Sequence, residues 1–125
     1  MMQVVASPQV VLALIGTQGE LVDQVEAELE CEIHARCDEG IHPEDFEIIP
    51  LQSKREATKL SLHKVGQRLK ISPEAFVSSP EAGLVAASDG YMIFVPEVAP
   101  DRNEAVRVRL TKVASSYARG TPVKT

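Results

Sequence analysis

Residues 106–111 read Val-Arg-Val-Arg-Leu-Thr. On an extended chain this alternation puts three apolar side chains on one face and Arg107 and Arg109 on the other. Guanidiniums spaced in this way suit phosphate binding, because each is a planar fork of N–H donors that stays charged at physiological pH. Arg102, Lys112, Arg119 and Lys124 stand nearby in the chain and add donors to the same region. The same arginines would also suit an ordinary solvated strand face. Tyr91, Phe94 and Tyr117 are the aromatics beside them, and a ring that stacks on a base contributes about 1–3 kcal/mol. Phe94, inside Ile93-Phe94-Val95, reads as core, whereas the hydroxyls of Tyr91 and Tyr117 suit either a core or a wet edge.

A second feature is the turn Gly16-Thr17-Gln18-Gly19, which stands between two predicted helices. Paired glycines let a sugar-phosphate approach the main chain closely, and the helix N-terminus that follows favours anions. Cys31, His34, Cys37 and His42 have a spacing that resembles a zinc site. On a strand, however, Cys31 and Cys37 share one face and His34 takes the other, so these ligands would not converge. No metal or cofactor is expected. The acidic loop of Asp38, Glu39, Glu44 and Asp45 lacks calcium-loop spacing. His63, beside Lys64, reads as a surface residue at a helix C-terminus. The chain contains no phosphate-binding P-loop, nucleophile elbow or zinc-protease motif, and no catalytic constellation is expected.

The elements that must hold these residues change character half-way. Met2 to Ala6 reads as a strand bounded by Ser7-Pro8, and Pro8 suits the first turn of a helix over Gln9 to Ile15. Thr17 and Glu20 have the spacing of a capping box, opening a helix with Val22, Val25 and Leu29 on one face. Strands follow at Cys31–Cys37 and Phe46–Leu51, with Pro50 confining the latter to an edge or marking its end. Ser53 and Glu56 form a second capping box, for a helix ending near Val65 with Gly66 as its stop. From Gln67 onward the chain reads as short strands. Asp89-Gly90 lies between Leu84–Ala87 and Tyr91–Val95, a strong hairpin signal. The alternation of residues 106–111 slips at Lys112-Val113, which predicts a bulge or the strand's end. Tyr117 to Val123 supplies the last strand, and such a run of short strands favours a small barrel.

The chain is 125 residues long, 44% hydrophobic and 25% charged. That composition excludes wholesale disorder, a collagen repeat and a coiled coil. The longest apolar run, Val10 to Ile15, is too short to span a bilayer. With no Lys or Arg ahead of it, it is not expected to be a secretory signal. Two cysteines point to a reducing, cytoplasmic setting. Residues 1–62 carry four Lys/Arg and twelve Asp/Glu, a net of −8, whereas residues 63–125 carry nine and six, a net of +3. The basic half would attract an anion such as a nucleic-acid backbone and the acidic half would repel it.

The second half resembles a TRAM domain. The carrying residues are V-G-Q-R-L-K-I (65–71), E-A-G-L-V-A (81–86), D-G-Y-M-I-F-V-P (89–96), V-R-V-R-L-T-K-V (106–113) and Y-A-R-G (117–120). The resemblance covers about residues 65–123 and implies a five-stranded, OB-like barrel that binds RNA. At residues 99–104 Ala-Pro-Asp-Arg-Asn-Glu replaces the family's Pro-Gly-Glu turn, which implies a longer loop there. The first half resembles a KH domain of the β-α-α-β-β-α kind, through V-V-A-S-P-Q-V-V-L-A-L-I-G-T-Q-G-E-L (4–21) and C-E-I-H-A (31–35). In that family the Gly-x-x-Gly turn clamps a single-stranded backbone. Here Thr17, Gln18 and Glu20 stand where binding members carry Lys or Arg.

The expectation is therefore an α+β protein, with a KH-like unit over 1–64 followed by a TRAM-like barrel over 65–125. It is expected to be non-enzymatic and cytoplasmic, with single-stranded or structured RNA as partner and no membrane association, serving as an RNA chaperone or RNA-delivery module. Arg102, Arg107, Arg109, Lys112 and Arg119 would hold phosphates and Tyr91 or Tyr117 would stack. Gly16, Thr17, Gln18 and Gly19 would form a second, weaker contact. The alternative is a protein adaptor, or an accessory subunit of an RNA-modifying or RNA-processing complex, docking its partner through the acidic first half.

Overall fold

Strand β1 (Met2–Ala6) gives way at Ser7-Pro8 to helix α1 (Pro8–Ile15). Proline is tolerated there because a first-turn N–H has no intrahelical partner to lose. Val11 and Ile15, one turn apart, form its buried face. Gly16 ends the helix, its N–H donating to Leu12 O at 2.9 Å. Helix α2 (Glu20–Leu29) begins at Gly19, and no side chain caps it. Thr17, expected to form a capping box with Glu20, lies outside the described residues, and Glu20 and Asp23 supply first-turn negative charge to the helix dipole. The chain is described here from a computed structural model over residues 1–16, 19–42, 44–51, 63–77, 83–88, 90–98 and 104–123. Thr17, Gln18, Arg102, Lys124 and most of the helix expected after Ser53 lie outside those residues.

Strands β2 (Ile33–Cys37) and β3 (Phe46–Pro50) flank β1 in a three-stranded sheet of order β2-β1-β3. The two-helix crossover makes β1 and β2 parallel, while β3 runs antiparallel, with Ala6 opposite Phe46 and Met2 opposite Pro50. Pro50 sits at the end of an edge strand, where its missing N–H costs no ladder bond.

The second half supplies β4 (Arg68–Ile71), a short 3-10 turn (Pro73–Ala75), β5 (Phe76–Val77), β6 (Leu84–Ser88), β7 (Tyr91–Val95), β8 (Val106–Val113) and β9 (Tyr117–Pro122). They form one curled sheet of order β4-β8-β9-β7-β6-β5. Ser88 pairs with Tyr91 across the expected two-residue hairpin, and the β8–β9 register shifts between Leu110 and Lys112, where the alternation slips. Among the described residues the sheet has six strands rather than five, and β7 and β9 pair in parallel. Among the described residues β4 and β5 form its two open edges. The described residues are therefore mixed α+β, with two helices and a barrel-like curled sheet.

Two apolar layers meet at β7. Met92 and Phe94 join Val11, Ile15, Val22, Ile33 and Ala35 in one cluster, together with Val85 and Tyr117. Tyr91, Ile93 and Val95 face a second cluster with Val106, Val108 and Leu110, inside the curl. Burial on both faces explains why Tyr91–Val95 is an unbroken apolar run rather than an alternating one. The first sheet meets the second through its β2 edge. Ser116 Oγ donates to Ile33 O (2.7 Å) and accepts from Ala35 N–H (2.8 Å), and Cys37 N–H donates to Gly90 O (2.8 Å). No helix among the described residues is long and apolar enough to cross a membrane.

Candidate nucleic-acid interface

In β8 the apolar Val106, Val108 and Leu110 turn into the curl, and Arg107 and Arg109 stand exposed on the outer face. The neighbouring edge strand has the same pattern. Its Arg68 and Lys70 are exposed and Ile71 is buried. The antiparallel register places Arg68 opposite Arg109 and Lys70 opposite Arg107. Residues directly opposite share a face, with Cβ atoms about 4.5–5.5 Å apart. The result is a block of four cations, two on each strand, and among the described residues no carboxylate forms an ion pair with any of them. A groove of about 290 Å³ runs along the block, lined by Arg68, Leu69, Lys70, Arg107, Val108 and Val123.

Like charges directly opposed on a sheet are destabilising. In water two unit charges ~6 Å apart repel by roughly 0.7 kcal/mol. Four cations brought together without counter-charge are disfavoured on their own, and an anion placed between them relieves the repulsion.

The outer face continues across β9, where Thr121 pairs with Arg109 and Arg119 pairs with Lys112. At this rim Thr121 Oγ1 donates to Glu97 Oε1 at 3.1 Å. Lys112, brought to the outer face by the register shift, is already engaged. Its Nζ donates to the Tyr117 hydroxyl at 2.6 Å and lies 3.6 Å from Asp23 Oδ2. The bond to Tyr117 raises the Lys112 pKa. Arg119 is half-buried. Among the described cations expected to hold phosphates, Arg107 and Arg109 are the open ones, joined by Arg68 and Lys70, and Arg102 lies outside the described residues.

Neither tyrosine offers a free ring face. Tyr117 is 1% exposed, with Phe94 edge-on at 6.0 Å and Lys112 Nζ 5.0 Å from its centroid, and its hydroxyl donates to Asp23 Oδ2 at 2.9 Å. Burial, the largest influence, raises its pKa. Tyr91 is 4% exposed and lies between the Arg36 guanidinium, 4.7 Å from its centroid, and the His63 ring at 5.1 Å. Its hydroxyl shares one proton between Ala114 O and Tyr117 O, both at 2.5 Å, and burial pushes its pKa up to about 12. His63, expected on the surface, is this half-buried stacking partner. Arg36 also donates to Ala35 O and Ser115 O, and burial lowers its pKa.

Of the glycine turn, Gly19 faces inward, and Thr17 and Gln18 lie outside the described residues. Gly16 and Gly19 both have φ of 90°, and a Cβ on Gly19 would overlap Tyr117 Cζ. The turn is thus seated on the second sheet by Gly19, and the α2 N-terminus meets the Tyr117–Lys112 pair through Asp23. The zinc-like residues are dispersed in function. Cys31 Sγ points to Glu32 O, His42 Nδ1 accepts from Glu44 N–H, and buried His34 Nε2 lies 2.7 Å from Glu32 Oε1. Among the described residues no group of three or more His, Cys, Asp or Glu is placed to hold a metal.

No protein-family model matches this chain, and no curated protein or solved structure matches it either. The sequence reading missed Arg68 and Lys70. Arg68-Leu69-Lys70-Ile71 carries the same basic–apolar alternation as β8 in a shorter run, and that signal would have found them.

Proposed function

We propose that this chain is a non-catalytic, cytoplasmic RNA-binding protein, built as a KH-like unit followed by a TRAM-like, OB-like barrel. The observation that carries the reading is the block of Arg68, Lys70, Arg107 and Arg109 on an exposed strand face, with no carboxylate partner among the described residues. Such a face supplies charge-assisted donors to phosphate oxygens. The choice of RNA over DNA comes from the two family resemblances. Lys112 and Arg119 border the block, and Gly19 is a structural contact in this arrangement.

Fluorescence anisotropy with a labelled single-stranded RNA and a labelled hairpin, at low and near-physiological salt, tests the reading on the whole chain. Binding should weaken as salt rises, with a log–log slope of about 0.7 per single-strand phosphate neutralised. Arg107→Ala with Arg109→Ala should weaken binding to all sequences alike. Unchanged affinity in that variant would place RNA elsewhere on the protein.

A second reading has its own observation. Phe46, Ile48 and Ile49 on edge strand β3 are 61%, 57% and 40% exposed, beside exposed Glu44, Asp45 and Glu47. An apolar, acid-flanked sheet edge suits a basic protein partner and supports an adaptor or an accessory subunit of an RNA-processing complex. Copurification with one stoichiometric protein, unaffected by nuclease, would favour it.

A further inference from the structure

The register of β4 against β8 bears on how the basic face grips its ligand. Resting on the RNA-binding reading, we infer that the four-cation block is a two-phosphate clamp: Arg68 with Arg109 holds one backbone phosphate, and Lys70 with Arg107 holds the next.

Three features lead there. Each opposed pair sits within about 4.5–5.5 Å at Cβ, so two long cationic side chains converge on one anion between them. Along each strand the two pairs are two residues apart, about 6.4–6.8 Å. That spacing is comparable to the step between successive phosphates of one nucleic-acid strand. The repulsion within each pair is relieved by one shared anion, and no described carboxylate supplies it. The neighbouring outer-face positions are Thr121, Arg119 and Lys112, and the first ring beyond them, Tyr117, is buried. The clamp therefore reads the sugar-phosphate backbone and is indifferent to the bases. Its smallest ligand is a stretch with two consecutive phosphodiesters, laid along the groove beside Val123.

The pairing makes a prediction that four independent cations do not. The test is anisotropy of the full chain with labelled oligo-U and oligo-A of equal length, across about 50–200 mM salt. Arg68→Ala with Arg109→Ala empties one phosphate position and should lower the salt slope by about 0.7. Arg107→Ala with Arg109→Ala removes the same number of charges but leaves one cation on each phosphate. Affinity should fall while the slope holds. The same pairs of substitutions to Gln repeat the comparison with side-chain bulk kept, and circular dichroism confirms the fold. Equal slope losses in both variants would overturn the clamp and leave RNA binding standing. A preference of more than about tenfold for oligo-A, the better stacker, would overturn the backbone reading. No binding of either RNA by the unaltered chain would overturn the proposed function itself.

Discussion

Replacing Gly19 with alanine tests how the glycine turn is seated. Gly19 holds φ at 90°, a left-handed conformation that costs an L-residue about 1–2 kcal/mol. The added Cβ would overlap Tyr117 Cζ and lie 2.5 Å from its Cε1 and hydroxyl. Tyr117 has little room to retreat, because it is 1% exposed and its hydroxyl is held by Asp23 at 2.9 Å and Lys112 at 2.6 Å. Overpacking of this kind costs about 1–3 kcal/mol. Together the two effects predict a loss of about 2–5 kcal/mol, a large share of the roughly 5–15 kcal/mol that stabilises an ordinary domain. Gly66 is the matched control, with φ of 89° and nothing within 4 Å of where a methyl group would stand. Gly66→Ala should therefore show only the backbone cost, about 1–2 kcal/mol. Urea unfolding followed by far-UV circular dichroism measures both on one scale. If the two variants lose equal stability, the Tyr117 ring does not fill the space beside Gly19, and the seating of the turn on the second sheet is wrong.

Ser116→Ala removes a buried hydroxyl that both donates to Ile33 O and accepts from Ala35 N–H. Stranding those two backbone groups should cost about 2–4 kcal/mol in urea unfolding, and a loss below about 0.5 would show that the bridge is not made. Tyr91 ionises near pH 10 when unfolded but holds its proton to about 12 when folded, so the stability it contributes is complete below pH 10 and is lost as pH rises from there towards 12. The loss should reach about 2–3 kcal/mol between unfolding measurements at about pH 9 and pH 12, and Tyr91→Phe should lack it. An equal loss in Tyr91→Phe would assign the effect to other groups. Arg109→Ala relieves the repulsion with Arg68, so its urea midpoint should hold or rise by up to about 1 kcal/mol while RNA affinity falls. A clear destabilisation would mean that the Arg109 side chain supports the sheet.

What could be read from the sequence was what short-range chemistry decides. The Ser7-Pro8 boundary, the hairpin that pairs Ser88 with Tyr91 and the slip after Leu110 each depend on a few adjacent residues, and the structure has them at those positions. Arg107 and Arg109 were legible as an outward pair because alternation is a property of one strand. Long-range register was not legible. Nothing local to Arg68 says that it faces Arg109, some forty residues on, and nothing local to Tyr117 says that Gly19 and Asp23 will close over it. The tyrosines could have gone either way because the atoms that bury them come from other elements. Lys112 was placed near phosphates by its position in the chain, whereas the register shift turns it toward Tyr117 and Asp23.

The strand Tyr91–Val95, at most 4% exposed at every residue and walled by a different apolar layer on each side, has a consequence for how the molecule comes apart. Its amides cannot reach solvent by melting either layer alone, so their hydrogen exchange should require opening of the whole molecule and report its full unfolding free energy. Heat or urea should likewise dissolve the acidic and basic halves in one cooperative step. The strand acts as a common wall: damage to the helices on one side is felt as lost protection in the sheet on the other.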